Sequence, residues 1–159
     1  MVIATEAIHS MATSREREMF VKLDMAKAYD RVKWSFLKSI LLSFGFSSDW
    51  VSWTMSCVTS ASFSILINGQ PSQLFGASRG LCQGDPISPY LFIIMAEGLG
   101  RFIKYQVSQN AIQGWRWGNG LPSLSHLQFV DDFVLTCLAR IKEVEAFRHA
   151  FEIYLAASG

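Results

Sequence analysis

Apolar residues recur along this chain with two different periods, and the switches between them outline its elements. Met19-Phe20-Val21-Lys22-Leu23 has the β-branched and aromatic content of a buried strand. Lys33 to Phe44 carries Trp34, Leu37, Ile40, Leu41 and Phe44 at spacings of three and four, which predicts a helix stopped by Gly45. A second helix is expected from about Asp49 to Val58, with Asp49 near its N-cap. Phe63-Ser64-Ile65-Leu66-Ile67 and Ser72-Gln73-Leu74-Phe75 flank Asn68-Gly69, the dipeptide that best tolerates a tight reversing turn, so a hairpin is expected there. Pro86 and Pro89 open a long helix, about Ser88 to Gln106, apolar on several faces and so largely buried, with Ser88 as its capping hydroxyl. Ile112 to Trp117 reads as a strand. Leu124 to Val130 and Phe133 to Leu138 read as the arms of a hairpin with an acidic tip. Ile141 to Ala156 is amphipathic, with Val144, Phe147, Phe151 and Leu155 along one side. Ahead of the first strand, Ile3 to Met11 reads as the tail of a helix and Ser14 to Glu18 as a charged connector. Helices mixed with antiparallel hairpins, without repeated strand-helix-strand units, make the fold class α+β.

Composition narrows this picture. A chain of 159 residues, half of them apolar, fits one domain with a real core. The three cysteines, Cys57, Cys82 and Cys137, are odd in number, widely spaced and outside metal-ligand spacing, which argues against a disulfide framework or zinc site. A reducing, intracellular compartment is expected. No apolar run reaches the roughly 18 residues that span a bilayer, so no membrane is involved. Met1 to Thr13 lacks the basic region and apolar run of a signal peptide.

The chemistry is carried by acids. Asp131-Asp132 sits between two apolar runs in His126-Leu127-Gln128-Phe129-Val130-Asp131-Asp132-Phe133-Val134-Leu135, and Asp24 ends the apolar strand before it. Adjacent carboxylates repel, so a fold holds them together for a cation or a turn. Three carboxylates at the ends of neighbouring strands make a hard-oxygen site suited to magnesium. Two such ions, roughly 3.5–4 Å apart, activate an attacking oxygen and stabilise the leaving one in phosphoryl transfer. Taken alone, Asp-Asp is better explained as a turn, because Asp bonds its own backbone there.

Three segments in order change that balance: Leu23-Asp24-Met25-Ala26-Lys27-Ala28-Tyr29-Asp30-Arg31-Val32, then Arg79-Gly80-Leu81-Cys82-Gln83-Gly84-Asp85-Pro86-Ile87-Ser88-Pro89-Tyr90-Leu91-Phe92, then the Asp131-Asp132 hairpin. They resemble motifs A (19–32), B (79–92) and C (126–135) of a reverse transcriptase palm, in particular that of plant non-LTR, LINE-type retrotransposons. Ser64-Ile65-Leu66-Ile67-Asn68-Gly69 and Glu97-Gly98-Leu99 add to the likeness, which runs over residues 1–159. The resemblance implies an antiparallel sheet backed by helices, with fingers and thumb largely missing. It also implies an RNA-directed DNA polymerase that uses two Mg2+ ions, with Mn2+ able to substitute. Its partners would be an RNA template, a DNA primer, dNTPs and the absent segments of a parent polyprotein.

Carried over residue by residue, Asp24 and Asp131 become the bridging metal ligands and Asp132 the third carboxylate of the catalytic set. The Met25 carbonyl would complete the nucleotide-side ion, and Tyr29 would pack beneath the sugar, leaving no room for a 2′-hydroxyl. Gln83 and Gly84 would lie along the nucleotide and template base, Gly84 allowing close backbone approach. Arg79 would touch a phosphate or remain a solvated loop charge. Cys82 departs from the pattern, since many relatives carry a basic residue there. The net charge of +1 is small for a polymerase, whose phosphate contacts call for a basic excess, and it suits a palm-centred fragment inactive in isolation.

Bland readings stand beside these. Tyr29 could be ordinary core, Trp50 and Trp53 lie at core-like helical spacing, and Trp115 with Trp117 could pack or stack on bases. His126 and His149 read as structural histidines. Two other functional classes remain open: a catalytically silent palm remnant acting as a structural or interaction module, and an unrelated α+β domain with an incidental acidic turn.

Overall fold

The computed structural model describes residue 9, residues 17–116 and residues 123–159. The expected helix tail at Ile3 to Met11, the start of the charged connector and Trp117 lie outside or mostly outside these residues. The described chain divides into two compact units, one comprising residues up to 26 with 96–156, the other residues 27–95 with 157–159.

The first unit is built on an antiparallel sheet of three strands, β1 (Glu18–Asp24), β8 (His126–Phe129) and β9 (Asp132–Leu138), in the order β1-β9-β8. β9 is central because its alternate residues Phe133, Leu135 and Cys137 are all buried, a pattern that needs cover on that face. The chain 96–108 and 141–156 supplies helical apolar surface from this same unit, with Leu99, Ile103, Phe147, Ala150 and Tyr154 buried. Phe133 is stacked on His126 (ring centroids 5.5 Å) and met edge-on by Phe151 (5.6 Å). A short ladder, β6 (Trp115–Arg116) with β7 (Ser123–Leu124), lies in the same unit. Two expectations shift here. The run from Leu124 to Val130 is not one strand: it breaks at Ser125, whose carbonyl accepts from Thr136 N–H at 2.9 Å, so Leu124 pairs with Trp115 while His126 onward pairs with β9. Among the described residues the expected strand from Ile112 begins only at Trp115, because Gly114 turns the chain at φ +68.

The second unit holds α1 (Trp34–Ser43) and α2 (Ser48–Thr59), with Leu37, Ile40, Leu41, Val51 and Val58 in its core. The N-cap of α2 is Ser47, whose hydroxyl accepts from Trp50 N–H; Asp49 instead sits in the first turn, where its charge suits the helix dipole. Trp50 stacks on Phe46 at 4.5 Å, whereas Trp53 is 70% exposed and not core. The Asn68-Gly69 hairpin forms as expected: β3 (Leu66–Ile67) pairs with β4 (Gln70–Pro71) across two residues at φ +51 and +81. Beyond it, β2 (Ser62–Phe63) pairs with β5 (Phe75–Gly76).

Two long helices complete the elements, α3 (Ser88–Ser108) and α4 (Ile141–Ser158). Before α3 it is the Asp85 carboxylate that accepts a backbone bond, from Ile87 N–H at 3.1 Å, while Ser88 is buried. On α4 the buried stripe is Glu143, Phe147, Ala150 and Tyr154, a spacing of four, three and four. Val144 and Leu155 are exposed on its flank, because the 3.6-residue period carries them off that stripe.

Candidate active site

The strand periodicity of β1 and β9 determines what the acids can do. Their register pairs Asp24 with Asp132 and Lys22 with Val134, and on the other side Phe129 of β8 pairs with Asp132. Residues directly opposite in an antiparallel pair share a face, with Cα atoms roughly 4.5–5.5 Å apart. Asp24, Asp132, Lys22 and Phe129 therefore stand on one side of the sheet, opposite the face that buries Phe133 and Leu135. Asp131 lies in the two-residue turn between Phe129 and Asp132, next to Val130, which takes a left-handed φ of +55. That conformation is costly for a β-branched residue and marks a backbone held by its surroundings. The Asp131 carbonyl accepts a 3.4 Å bond from Met25 N–H, so the residue after Asp24 is tied to the acidic turn.

One cation already faces these carboxylates. Lys22 Nζ lies 2.8 Å from Asp132 Oδ1. Its ammonium is held above the ordinary lysine range first by that hydrogen bond and the Asp132 charge; desolvation opposes them, and the charges of Asp24 and Asp131 add lesser upward pushes. All three acids are thus within electrostatic reach of one ammonium. Carboxylates are the right donors for a hard divalent ion, so the residues fit such a group in kind. As the side chains stand, no cluster of three or more His, Cys, Asp or Glu among the described residues is arranged as a ligand set. Sequence reasoning missed Lys22 and Phe129, although the period of two from Lys22 to Asp24 was visible.

The remaining candidates belong to the second unit. Tyr29 stacks on Phe92, centroids 4.7 Å apart and nearly parallel. Leu81 N–H donates to the Tyr29 carbonyl at 2.9 Å and Gly80 N–H to Val32 at 2.8 Å, while Trp34 Nε1 donates to the Gly80 carbonyl at 2.7 Å. These bonds clip the segment around Tyr29 to the one leading into Gln83. Gly80 takes φ +95, and a Cβ there would sit 3.0 Å from the Asp30 carbonyl. Gly84 takes φ +94 in open space, so its glycine answers to backbone conformation and not to packing. Asp30, Trp34, Phe63, Arg79 and Gln83 line an open cavity of about 440 Å³ in this unit. Arg79, Gln83 and Gly84 are exposed along it or beside it.

Residues 2–159 match the family model described as reverse transcriptase (RNA-dependent DNA polymerase). The chain belongs to the reverse transcriptase family. Among its relatives, the Pol polyprotein of type-2 retrotransposable element R2DM of Drosophila melanogaster is 28% identical over 119 residues, covering 75% of this chain and 10% of the polyprotein. The polyprotein of type-1 element R2 of Popillia japonica is 33% identical over 79 residues, 50% of this chain and 13% of its own length. An uncharacterized mitochondrial protein of Arabidopsis thaliana is 46% identical over 67 residues, 42% of this chain and 55% of that protein. These relatives make it a reverse transcriptase domain of the non-LTR retrotransposon kind, consistent with a plant type. The reverse transcriptase fold is matched by telomerase of Candida albicans solved with a telomeric RNA fragment, TM-score 0.67 at 14% identity, and by apo telomerase of Candida tropicalis, TM-score 0.63 at 15% identity. Each match covers 99% of this chain and 28% or 32% of the telomerase. This reverse transcriptase segment therefore spans a small part of the retrotransposon relatives and about a third of the telomerases. No helix among its described residues is long and apolar enough to cross a membrane.

Proposed function

We propose that this reverse transcriptase segment is the palm of an RNA-directed DNA polymerase that adds dNTPs to a primer 3′-hydroxyl along an RNA template. One observation carries the reading: Asp24 and Asp132 are cross-strand partners with Asp131 in the adjoining turn, in a chain that matches the family over nearly its whole length. Asp24 and Asp131 would hold two Mg2+ ions between them, with Asp132 and the Met25 carbonyl in support. Bound there, such ions lower the pKa of the attacking hydroxyl and neutralise charge on the triphosphate. The protein's own share is positioning. Tyr29, braced by Phe92, would exclude a 2′-hydroxyl. Gln83 and the bare backbone of Gly84 would lie along the nucleotide and template base, and Arg79 would meet a phosphate. RNA as template is in keeping with the telomerase relative solved with telomeric RNA.

Primer extension on an RNA template, with dNTPs and Mg2+, tests this. Asp131→Asn is expected to lower extension by on the order of 10²–10³, the usual cost of removing one group that stabilises transition-state charge. Equal signal from both proteins would refute catalysis at these acids. A second reading, a catalytically silent remnant serving as an interaction module, is favoured by the apolar side chains on 62–76. Leu66 and Leu74 there are 73% and 74% exposed, with Ile65, Ile67 and Phe75 also open.

A further inference from the structure

The Lys22 side chain is 58% exposed and lies opposite Val134, not opposite an acid. It instead reaches along the strand toward the end that carries Asp24 and Asp132, where diagonal neighbours are within range of a long side chain. There it occupies Asp132 Oδ1 at 2.8 Å. We propose that Lys22 is a resident cation of the acidic cluster, holding Asp132 away from the divalent ions, so that Asp24 and Asp131 load first and Asp132 joins only when Lys22 lets go.

This rests on the reading of the three acids as metal ligands and goes beyond it by giving them an order. Three observations support it. The ammonium lies 2.8 Å from Asp132 Oδ1 and so occupies one of its carboxylate oxygens. The charges of Asp24 and Asp131 act on the same ammonium, so Lys22 offsets the repulsion among three neighbouring carboxylates in the metal-free protein. The pair is also open to water on both sides, at 58% and 36% exposure, and exposed ion pairs are weak enough to be displaced. Because a divalent ion carries twice the charge of the ammonium, Lys22 would set the concentration at which Asp132 becomes available to it.

Mn2+ binding to the apo chain, followed by the loss of the free-ion electron paramagnetic resonance signal at fixed ionic strength, tests the idea without any turnover. Lys22→Met is expected to tighten Mn2+ binding roughly three- to tenfold, the effect of removing a unit charge a few ångströms from the ion in a wet site. Lys22→Arg, which keeps the charge, should stay close to the parent. Asp132→Asn should weaken binding less than Asp24→Asn or Asp131→Asn does. If the parent binds Mn2+ and Lys22→Met binds it equally or more weakly, with unchanged circular dichroism, the role of Lys22 is overturned while the metal site stands. If Lys22→Met binds Mn2+ and the parent does not, the proposal is supported in its strongest form. If neither binds and none of the aspartate variants differs, both the metal reading and this proposal fail.

Discussion

At the scale of single residues, His126 shows how a side chain can serve the fold yet resemble a site. Its ring stacks on Phe133, its Nδ1 lies 3.0 Å from the Ser125 hydroxyl, and its surroundings hold its pKa below the ordinary imidazole range. Burial is the main cause, the Lys104 charge adds to it, and the Glu97 charge opposes it. A histidine with a depressed folded-state pKa favours the neutral form on folding. Its contribution to stability is whole above the unfolded value near 6.5 and is lost as pH falls through the lower folded-state value. The melting temperature is therefore expected to drop as pH falls below about 6.5, and His126→Phe should flatten that slope; equal slopes in differential scanning calorimetry would contradict the assignment. The sequence offered His126 as a structural histidine, and in the fold its ring packs against Phe133 within the sheet. Cys137 tells a similar story: burial, helped by the Glu143 charge, pushes its thiol to about 11, leaving it inert at neutral pH. Lys22 is the opposite case. Its role follows from a cross-strand register that no single residue announces.

At the scale of elements, helix periodicity was legible and strand pairing only partly so. The stripe Leu37, Ile40 and Leu41 was readable because i, i+3, i+4 spacing is local, and those residues are buried as expected. The flank positions Val144 and Leu155 were misassigned because an amphipathic helix of moderate contrast presents more than one plausible apolar stripe, and only packing selects among them. The break at Ser125 was not readable, since Leu124 to Val130 alternates well enough for a single strand and the change of partner is a long-range event. Glycines at forced conformations offer a sharp test of the clip between residues 29–32 and 79–81. Gly80→Ala must place a Cβ 3.0 Å from the Asp30 carbonyl at φ +95. It is expected to cost about 1–3 kcal/mol by urea unfolding. Gly76→Ala, with nothing within 4 Å of its Cβ, should cost little; equal midpoints for the two variants would show that the clip is not strained.

At the scale of the whole molecule, charge sets what this chain can grip. With 14 basic and 13 acidic residues its net charge is only +1, a small overall attraction for a polyanion. Binding of an RNA–DNA hybrid by the 159-residue chain is expected to be weak, with a dissociation constant above about 1 µM at physiological salt and a shallow salt slope. Filter binding across a salt series would check this, and a steep slope would reveal a concentrated basic face. Sequence by itself determined the α+β class, the family and the order of the three motifs, because residue type, local period and linear spacing are carried by the chain alone. Tertiary structure decided that Asp24 lies opposite Asp132, that Lys22 stands among the acids, and that Val144 faces outward. The reason is physical: pairing register and burial depend on residues more than a hundred positions apart, and a slip of one residue would have sent Asp24 to the buried face.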